Sequence, residues 1–464
     1  MDAAEGGWWR RPYDQEMANT QSPPTDRQGQ TPPGPDGWPL VGNTLSFLRD
    51  PISFYGHCAE AYDSDVVAYS IAGSDGYMIT DPAIIERVLV TDDSEYTRGL
   101  VADTLGQVVD GGLLLLEGEE WQQHRSALQP SFYRDRIETY AAMMVRYATE
   151  QADTWEHGQT VAVSEQMRTL TLRILTKTLL DVDVEGDEST IGDAASTITD
   201  RFDASTLSAF LPLWVPTPRN RRANRAVDAF EGAIDDIIEK RQRSDGTYDD
   251  LLSIMLDVDD DLMDESDVRD HLFTFLFAGH ETTSLALSYT LFCLANDPER
   301  QARLHAELDD VLGGDAPTAA DLFELDYLER VVDEALRLYP PAYTMFREPE
   351  RDVELGGYVI PEGSVLSLPQ WVVHRDERWY DGPGQFRPER WAEGRDRPEY
   401  AYYPFGGGPR HCIGMRFARM ELELVLATLA QRFQFHPVTE PPLDLSMQIT
   451  LQPESPIEVG LAAR

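Results

Sequence analysis

The segment Phe405-Gly-Gly-Gly-Pro-Arg-His-Cys-Ile-Gly414 constrains this chain more than any other stretch of it. Glycines at 406, 407 and 408 let the backbone turn tightly and approach a flat partner. The residues after it read as a helix, so Cys412 sits just ahead of a helix start. There the unpaired amides and the helix dipole lower a thiol pKa and favour the thiolate. A lone thiolate in such a loop can ligate iron and push electron density onto it. Two plainer readings fit less well. A dinucleotide loop would need a third glycine where His411 stands. A free cysteine beside an ordinary turn leaves the coincidence of so many flanking residues unexplained.

The two other cysteines, Cys58 and Cys293, make no C-x-x-C pair with Cys412 or with each other, which excludes a disulfide framework, a zinc ribbon and a c-type haem attachment. The charge balance is extreme: 82 acidic against 39 basic residues in 464, a net −43, with Lys177 and Lys240 the only lysines. Such a surface repels itself in dilute buffer and is relieved in molar salt, where the screening length falls to roughly 3 Å. The expectation is a protein of a salt-in halophile, archaeal in character. A polyanion would meet no basic patch, so nucleic acid is excluded as a partner. No apolar run is long enough to span a bilayer or form a signal-peptide core. The chain should therefore be a cytoplasmic monomer without a transmembrane anchor.

Residues 1–31 read as a disordered tail by composition, and residues 32–464 as one catalytic domain. A Pro- and Gly-rich lead-in, Thr31 to Gly42, opens the folded part. Short β-like runs at Val66–Ile71 and Tyr77–Thr80 alternate with helical patterns up to residue 110, and the chain is then mainly helical to Leu338. The longest pattern, Ser266 to Asn296, has Ser266 as candidate N-cap and is apolar nearly all round, which predicts a buried central helix. A second pattern runs from Asp321 to Leu338. Strand-like pieces follow at Val353–Ile360 and Val365–Leu368, separated by a turn at Pro361-Glu-Gly363, and a last helix covers Gly414 to Phe433.

Further groups carry chemistry. Glu334 and Arg337 share a helix face at i and i+3 and can pair, although an exposed pair would be unremarkable. Ala278-Gly-His-Glu-Thr-Thr283 puts an acid and an alcohol, Glu281 and Thr282, into the apolar helix, where a buried carboxyl is costly unless it has a purpose. It is not a zinc-protease motif, because Ser284 stands where the second histidine belongs. Trp121 and Arg125 lie on one amphipathic helix, and Arg347 precedes Asp352 in a β-like region.

Together these segments resemble the cytochrome P450 superfamily. F-x-x-G-x-R-x-C-x-G is matched throughout by Phe405–Gly414, and E-x-x-R, the Phe386-Arg-Pro-Glu-Arg390 segment, W-x-x-x-R and the acid-alcohol pair all stand in order. The A-G-H-E-T-T form is closest to the bacterial fatty-acid hydroxylase branch. The resemblance, which covers roughly residues 32–460, implies a mainly α fold with a smaller β part, a triangular helix-rich domain around one buried haem b. It makes Cys412 the axial thiolate with Phe405 beside it, and places Trp121, Arg125, Arg347 and Arg410 at the haem propionates. Glu334, Arg337 and Arg390 become a structural network supporting the cysteine loop. Thr282 would hold iron-bound dioxygen with its ordered water, and Glu281 would serve proton delivery.

Phe277, Ala278, Ala342, Tyr343 and Ile449 match pocket positions, and their character implies a small apolar substrate: fatty acyl, isoprenoid or carotenoid-like. Ser70–Thr80 lacks the basic anchor of the fatty-acid hydroxylases, which weakens a free fatty acid. With no reductase domain attached, electrons should come from a separate ferredoxin or flavodoxin and its reductase, docking near Arg410, Arg416 and Arg419. A peroxide-driven haem-thiolate enzyme and a haem-binding sensor are the rival readings; the acid-alcohol pair argues against both.

Overall fold

The apolar pattern in the middle of the chain forms one helix of 31 residues, Glu265–Ala295, and the rest of the fold is arranged about it. A computed structural model describes residues 31–464 except 110, 183–187, 245, 247, 249, 260 and 393–396. The expected tail, residues 1–31, lies outside the described residues apart from Thr31.

The helices that build the site are, in chain order, α1 (Thr44–Arg49), α2 (Pro51–Ala61), α3 (Gly118–Leu128), α4 (Ala141–Asp153), α5 (Val163–Leu180), α6 (Glu188–Arg201), α7 (Pro218–Gln242), α8 (Glu265–Ala295), α9 (Pro298–Leu312), α10 (Asp326–Leu338) and α11 (Met415–Arg432). Three of them begin with a cap residue followed by proline. Asp50-Pro51, Thr217-Pro218 and Asp297-Pro298 each present a side-chain oxygen to an otherwise unpaired amide, while the proline occupies the first turn, where its missing N–H costs nothing. The chain is mainly α with small sheets, as expected.

α8 packs against α5, α7, α10 and α11 and is buried almost continuously from His280 to Ala295. Its start differs from the expectation. The cap is Asp264, not Ser266: Asp264 Oδ1 accepts the Asp267 N–H at 3.0 Å and Asp267 Oδ2 accepts the Asp264 N–H at 2.9 Å. This reciprocal box satisfies two groups at once, which a single serine hydroxyl could not. The 321–338 pattern also breaks, into a short turn at Asp321–Phe323 and then α10. Val353–Ile360 is a hairpin of Val353–Leu355 with Tyr358–Ile360, because Gly356 and Gly357 both take positive φ between them.

The main sheet contains β1 (Val66–Ile71), β2 (Ser74–Ile79), β3 (Tyr96–Thr97), β4 (Met345–Pro349) and β5 (Val365–Leu368), in the order β1-β2-β5-β4-β3. Only the β2–β5 pair is parallel. The antiparallel register at one edge, Thr97 opposite Glu348, continues toward Arg98 and Arg347 and so brings two arginines from distant parts of the chain together. Among the described residues no helix is long and apolar enough to cross a membrane.

Candidate functional site: a thiol loop, a guanidinium cluster and an acid-alcohol pair

The cysteine loop folds as its glycines require. Gly406 and Gly408 have φ of +74° and +65°, and a side chain at Gly408 would collide with the Leu89 carbonyl. The Cys412 N–H donates to the Phe405 carbonyl at 2.9 Å, closing the loop against the start of α11. Cys412 is exposed on this loop, whereas Cys58 and Cys293 are buried. Desolvation by the surrounding protein raises the Cys412 pKa despite the downward pull of the Gly414 amide and the Arg125 guanidinium, so the lowering expected from the helix start does not prevail in the protein alone. Phe405 packs half-buried beneath the loop, under the Arg419 guanidinium.

Glu334 and Arg337 of α10 pair as their i, i+3 spacing allows. Glu334 and Arg337 are fully buried and paired through two hydrogen bonds of 2.9 Å. Arg390 adds a third at 2.9 Å, and Trp391 Nε1 and the Arg387 amide complete the carboxylate. Arg337 also donates to the carbonyls of His374, Pro383 and Gln385. Burial opposes ionisation of Glu334, but Arg337 and Arg390 more than offset it and hold the carboxyl below its ordinary range. Trp391 was not foreseen.

Beside the loop lies a cluster of four guanidinium groups. Arg125 donates to the His411 carbonyl at 2.9 Å. Arg410 lies over the Trp121 ring at 4.4 Å, donates to the Leu116 carbonyl and pairs with Glu117. Arg347 is 4% exposed, and its Nε and Nη2 have no partner. Arg98, which sequence reasoning missed, also has an unpartnered Nε. Burial and the neighbouring Arg347 and Arg410 push Arg98 down to about 9. Burial pushes Arg347 down to about 10, with Asp93 pulling the other way. Trp121 Nε1 is a further buried donor without a partner. Four guanidinium groups gathered here, two of them with buried N–H groups left unpartnered, suit a bound group that carries more than one carboxylate, and they fit the two propionates of a haem beside a thiol ligand.

α8 carries the acid-alcohol pair. Ala278 is exposed and Thr282 half-buried, although their neighbours Phe277, His280, Glu281 and Thr283 are buried. The Thr282 hydroxyl donates to the Ala278 carbonyl at 2.8 Å, which leaves its lone pairs free to accept. Glu281 is buried, and its Oε2 takes hydrogen bonds from Thr199 on α6 at 3.3 Å and from Thr450 at 3.1 Å. Burial pushes this carboxyl up to about 7, against the pull of those two hydroxyls. Neither threonine carried a sequence signal, since each is an ordinary residue distant in the chain from the group it serves.

A buried histidine pair holds α3 to α8. The Leu113 N–H donates to His271 Nδ1 at 3.1 Å, so His271 Nε2 carries the hydrogen and donates to His124 Nδ1 at 2.8 Å. Burial, with His124 beside it, pushes His271 down to about 3, so it stays neutral. Next along α8, Phe275 packs on Phe132 at 5.5 Å.

The pocket candidates separate into two groups. Ala342, Tyr343 and Ile449 come together where the 447–451 turn meets the end of α10: the Tyr343 hydroxyl donates to the Gln448 carbonyl at 2.8 Å, and the Leu451 amide donates to the Pro341 carbonyl. Phe277 stacks on Phe273, which in turn meets Phe230 of α7. Of the arginines expected to face a redox partner, Arg410 and Arg419 are engaged inward, the latter by Asp333 at 2.5 Å, and only Arg416 is exposed without an ion pair.

The cytochrome P450 family model matches residues 32–461. The chain is 32% identical over 427 residues to cyclooctat-9-en-7-ol 5-monooxygenase of Streptomyces melanosporofaciens, covering 90% of this chain and 92% of that protein. It is 33% identical to the cyclooctatin synthase of the same organism, covering 91% and 93%, and 33% identical to human cytochrome P450 3A5, covering 93% and 91%. The fold and the family match define a protein of the haem-thiolate class. The chain belongs to the cytochrome P450 family and is a cytochrome P450 monooxygenase.

Proposed function

We propose that the protein holds haem b through Cys412 and inserts one atom of O2 into an apolar substrate, with electrons from a separate ferredoxin or flavodoxin. The observation that carries this reading is the Cys412 thiol with Arg125 beside it, next to buried guanidinium donors of Arg98 and Arg347 that have no protein partner. Arg98, Arg347 and Trp121 Nε1 would bind the propionates, while Arg125 and Arg410 hold the loop and neutralise charge. When bound, the haem supplies the oxidising chemistry.

The residues of the chain position and protonate. Thr282, with its own hydrogen committed to Ala278, accepts a hydrogen bond from a donor entering beside that alanine. Glu281, poised near neutral pH, takes up and releases a proton at its carboxyl, as a general acid requires. Glu334, Arg337 and Arg390 fix the backbone on which the thiol loop rests. Ala278, Ala342, Tyr343 and Ile449, with Phe277 behind them, give an apolar lining. A relative named for oxidising cyclooctat-9-en-7-ol supports an apolar ring compound of isoprenoid type, and the absence of a basic residue in Ser70–Thr80 argues against a free fatty acid.

The test is a spectral binding screen of isoprenoids, carotenoids and fatty acids, followed by oxygen consumption with ferredoxin and its reductase. Substrate-dependent oxygen uptake with a hydroxylated product is expected. Turnover with peroxide alone, and none with reductant and O2, would overturn the proposal.

A further inference from the structure

A buried arginine lines an open cleft and meets no carboxylate there. Arg375 is 5% exposed and lies over the Trp371 ring, 3.4 Å from its centre. Its Nη1 donates to the Trp371 carbonyl at 3.2 Å, its Nε has no partner, and among the described residues no carboxylate pairs with it. Burial pushes the guanidinium down to about 9, which still leaves it charged at neutral pH. A desolvated cation with a donor left over is costly, and it suits a ligand that brings negative charge. The cleft has a volume of about 510 Å³ and lies between the end of α2 with the start of β1 and the segment Trp371–Arg378. Small residues keep it open: Gly56 and Ala59 are on its α2 wall, and a Cβ at position 56 would meet nothing within 4 Å. Asp65 and Asp376 are both neutralised by Arg378, at 2.6 and 2.7 Å. Glu60 and Asp63, exposed at and just beyond the end of α2, line the same cleft and form no ion pair among the described residues. None of these residues belongs to the haem site.

We propose that this cleft binds a small zwitterion, a molecule of the ω-amino acid type whose carboxylate reaches Arg375 while its ammonium group stays with Glu60 and Asp63. A plain anion would be repelled by the two unpaired carboxylates and a plain cation by Arg375, so the site selects a ligand that carries both charges. The volume falls within the range of small-molecule sites, about 300–1,000 Å³. Trp371, which also lines the cleft, offers an apolar surface to a methylene chain between the two charged ends.

The full-length holo-protein is titrated by calorimetry with 4-aminobutyrate and 6-aminohexanoate, and with butyrate and butylamine as analogues bearing one charge each. At least one of the amino acids is expected to bind, roughly 10-fold or more tighter than either analogue, and to leave the haem absorption band where it was. Arg375→Met should abolish this binding. Glu60→Gln with Asp63→Asn should weaken it roughly 10-fold and let butyrate bind more tightly. Gly56→Phe puts a ring into the cleft from an ordinary helical position and should block binding with Arg375 still in place, so the test holds even where Arg375→Met does not fold. No heat with either amino acid would overturn the proposal, as would equal binding of butyrate or butylamine, or binding that survives Gly56→Phe. Binding that shifts the haem band would also overturn it, because the ligand would then be at the iron.

Discussion

Thr450 donates a hydrogen bond of 3.1 Å to the same carboxylate oxygen of Glu281 that Thr199 approaches at 3.3 Å. A group on the central helix is thus set by a turn near the C-terminus and by α6, so the acid's protonation depends on how these elements close over α8. Thr450→Val removes a donor that favours the charged form, and the apparent pKa near 7 should rise further. The alkaline limb of the pH profile for coupled turnover should move to higher pH, with more reducing equivalents lost to peroxide, and Thr450→Ser should restore both. A variant with an unchanged profile would remove Thr450 from the account.

Stability should carry the opposite imprint. The Glu281 pKa of about 7 lies above that of an unfolded glutamate, about 4.3, so between these values the native state binds more proton than the unfolded state. Its contribution is therefore fully present below about pH 4 and is lost as pH rises through 7. Denaturation midpoints measured from pH 5 to 8 should fall less steeply in Glu281→Gln than in wild type. Parallel curves would contradict this.

Breaking the buried network should be severe. Arg390→Met leaves Glu334 with one strong cationic partner fewer in a fully buried site, and a loss of about 3–5 kcal/mol is expected in urea unfolding. Haem content after purification should fall with it. A surface pair would cost less than about 1 kcal/mol, so the size of the loss separates the two cases.

The guanidinium cluster predicts opposite effects on the apo and holo proteins. Arg347 is desolvated and repelled by Arg410, so Arg347→Met should leave the apo-protein as stable as wild type or more so. The holo-protein should lose haem several times faster to a haem-scavenging globin. Equal loss of stability in both forms would show that the arginine is needed for folding and not for the cofactor.

The charge of the chain predicts that the melting temperature rises by several degrees as potassium chloride goes from millimolar to molar, because the 82 acidic groups are then screened from one another. A melting temperature independent of salt would remove the inference of salt adaptation.

What the sequence made legible was whatever depended on close spacing. The glycines of 406–408, the cysteine at 412, the Glu334–Arg337 pair and the apolar body of α8 each encode a local geometry, and all four recur in the structure. What it hid was set by tertiary approach. Arg98 becomes a partner of Arg347 only through the β3–β4 register, and Thr199 and Thr450 become ligands of Glu281 only when α6 and the C-terminal turn meet α8. The helix start moved from Ser266 to Asp264 because reciprocal capping by two aspartates outweighs one hydroxyl. The arginines assigned to a redox partner looked free only because nothing in the sequence tells which carboxylate lies near: Asp333 holds Arg419 and Glu117 holds Arg410.

The most direct test of the central claim is the absorption spectrum of the reduced protein under carbon monoxide, measured for wild type and Cys412→Ser. The red-shifted band of a thiolate-ligated haem should be present in wild type and absent in the variant, with Cys58 and Cys293 left in place. A wild-type band without that shift, or a shift that survives the substitution, would mean that the sulfur at 412 is not the ligand.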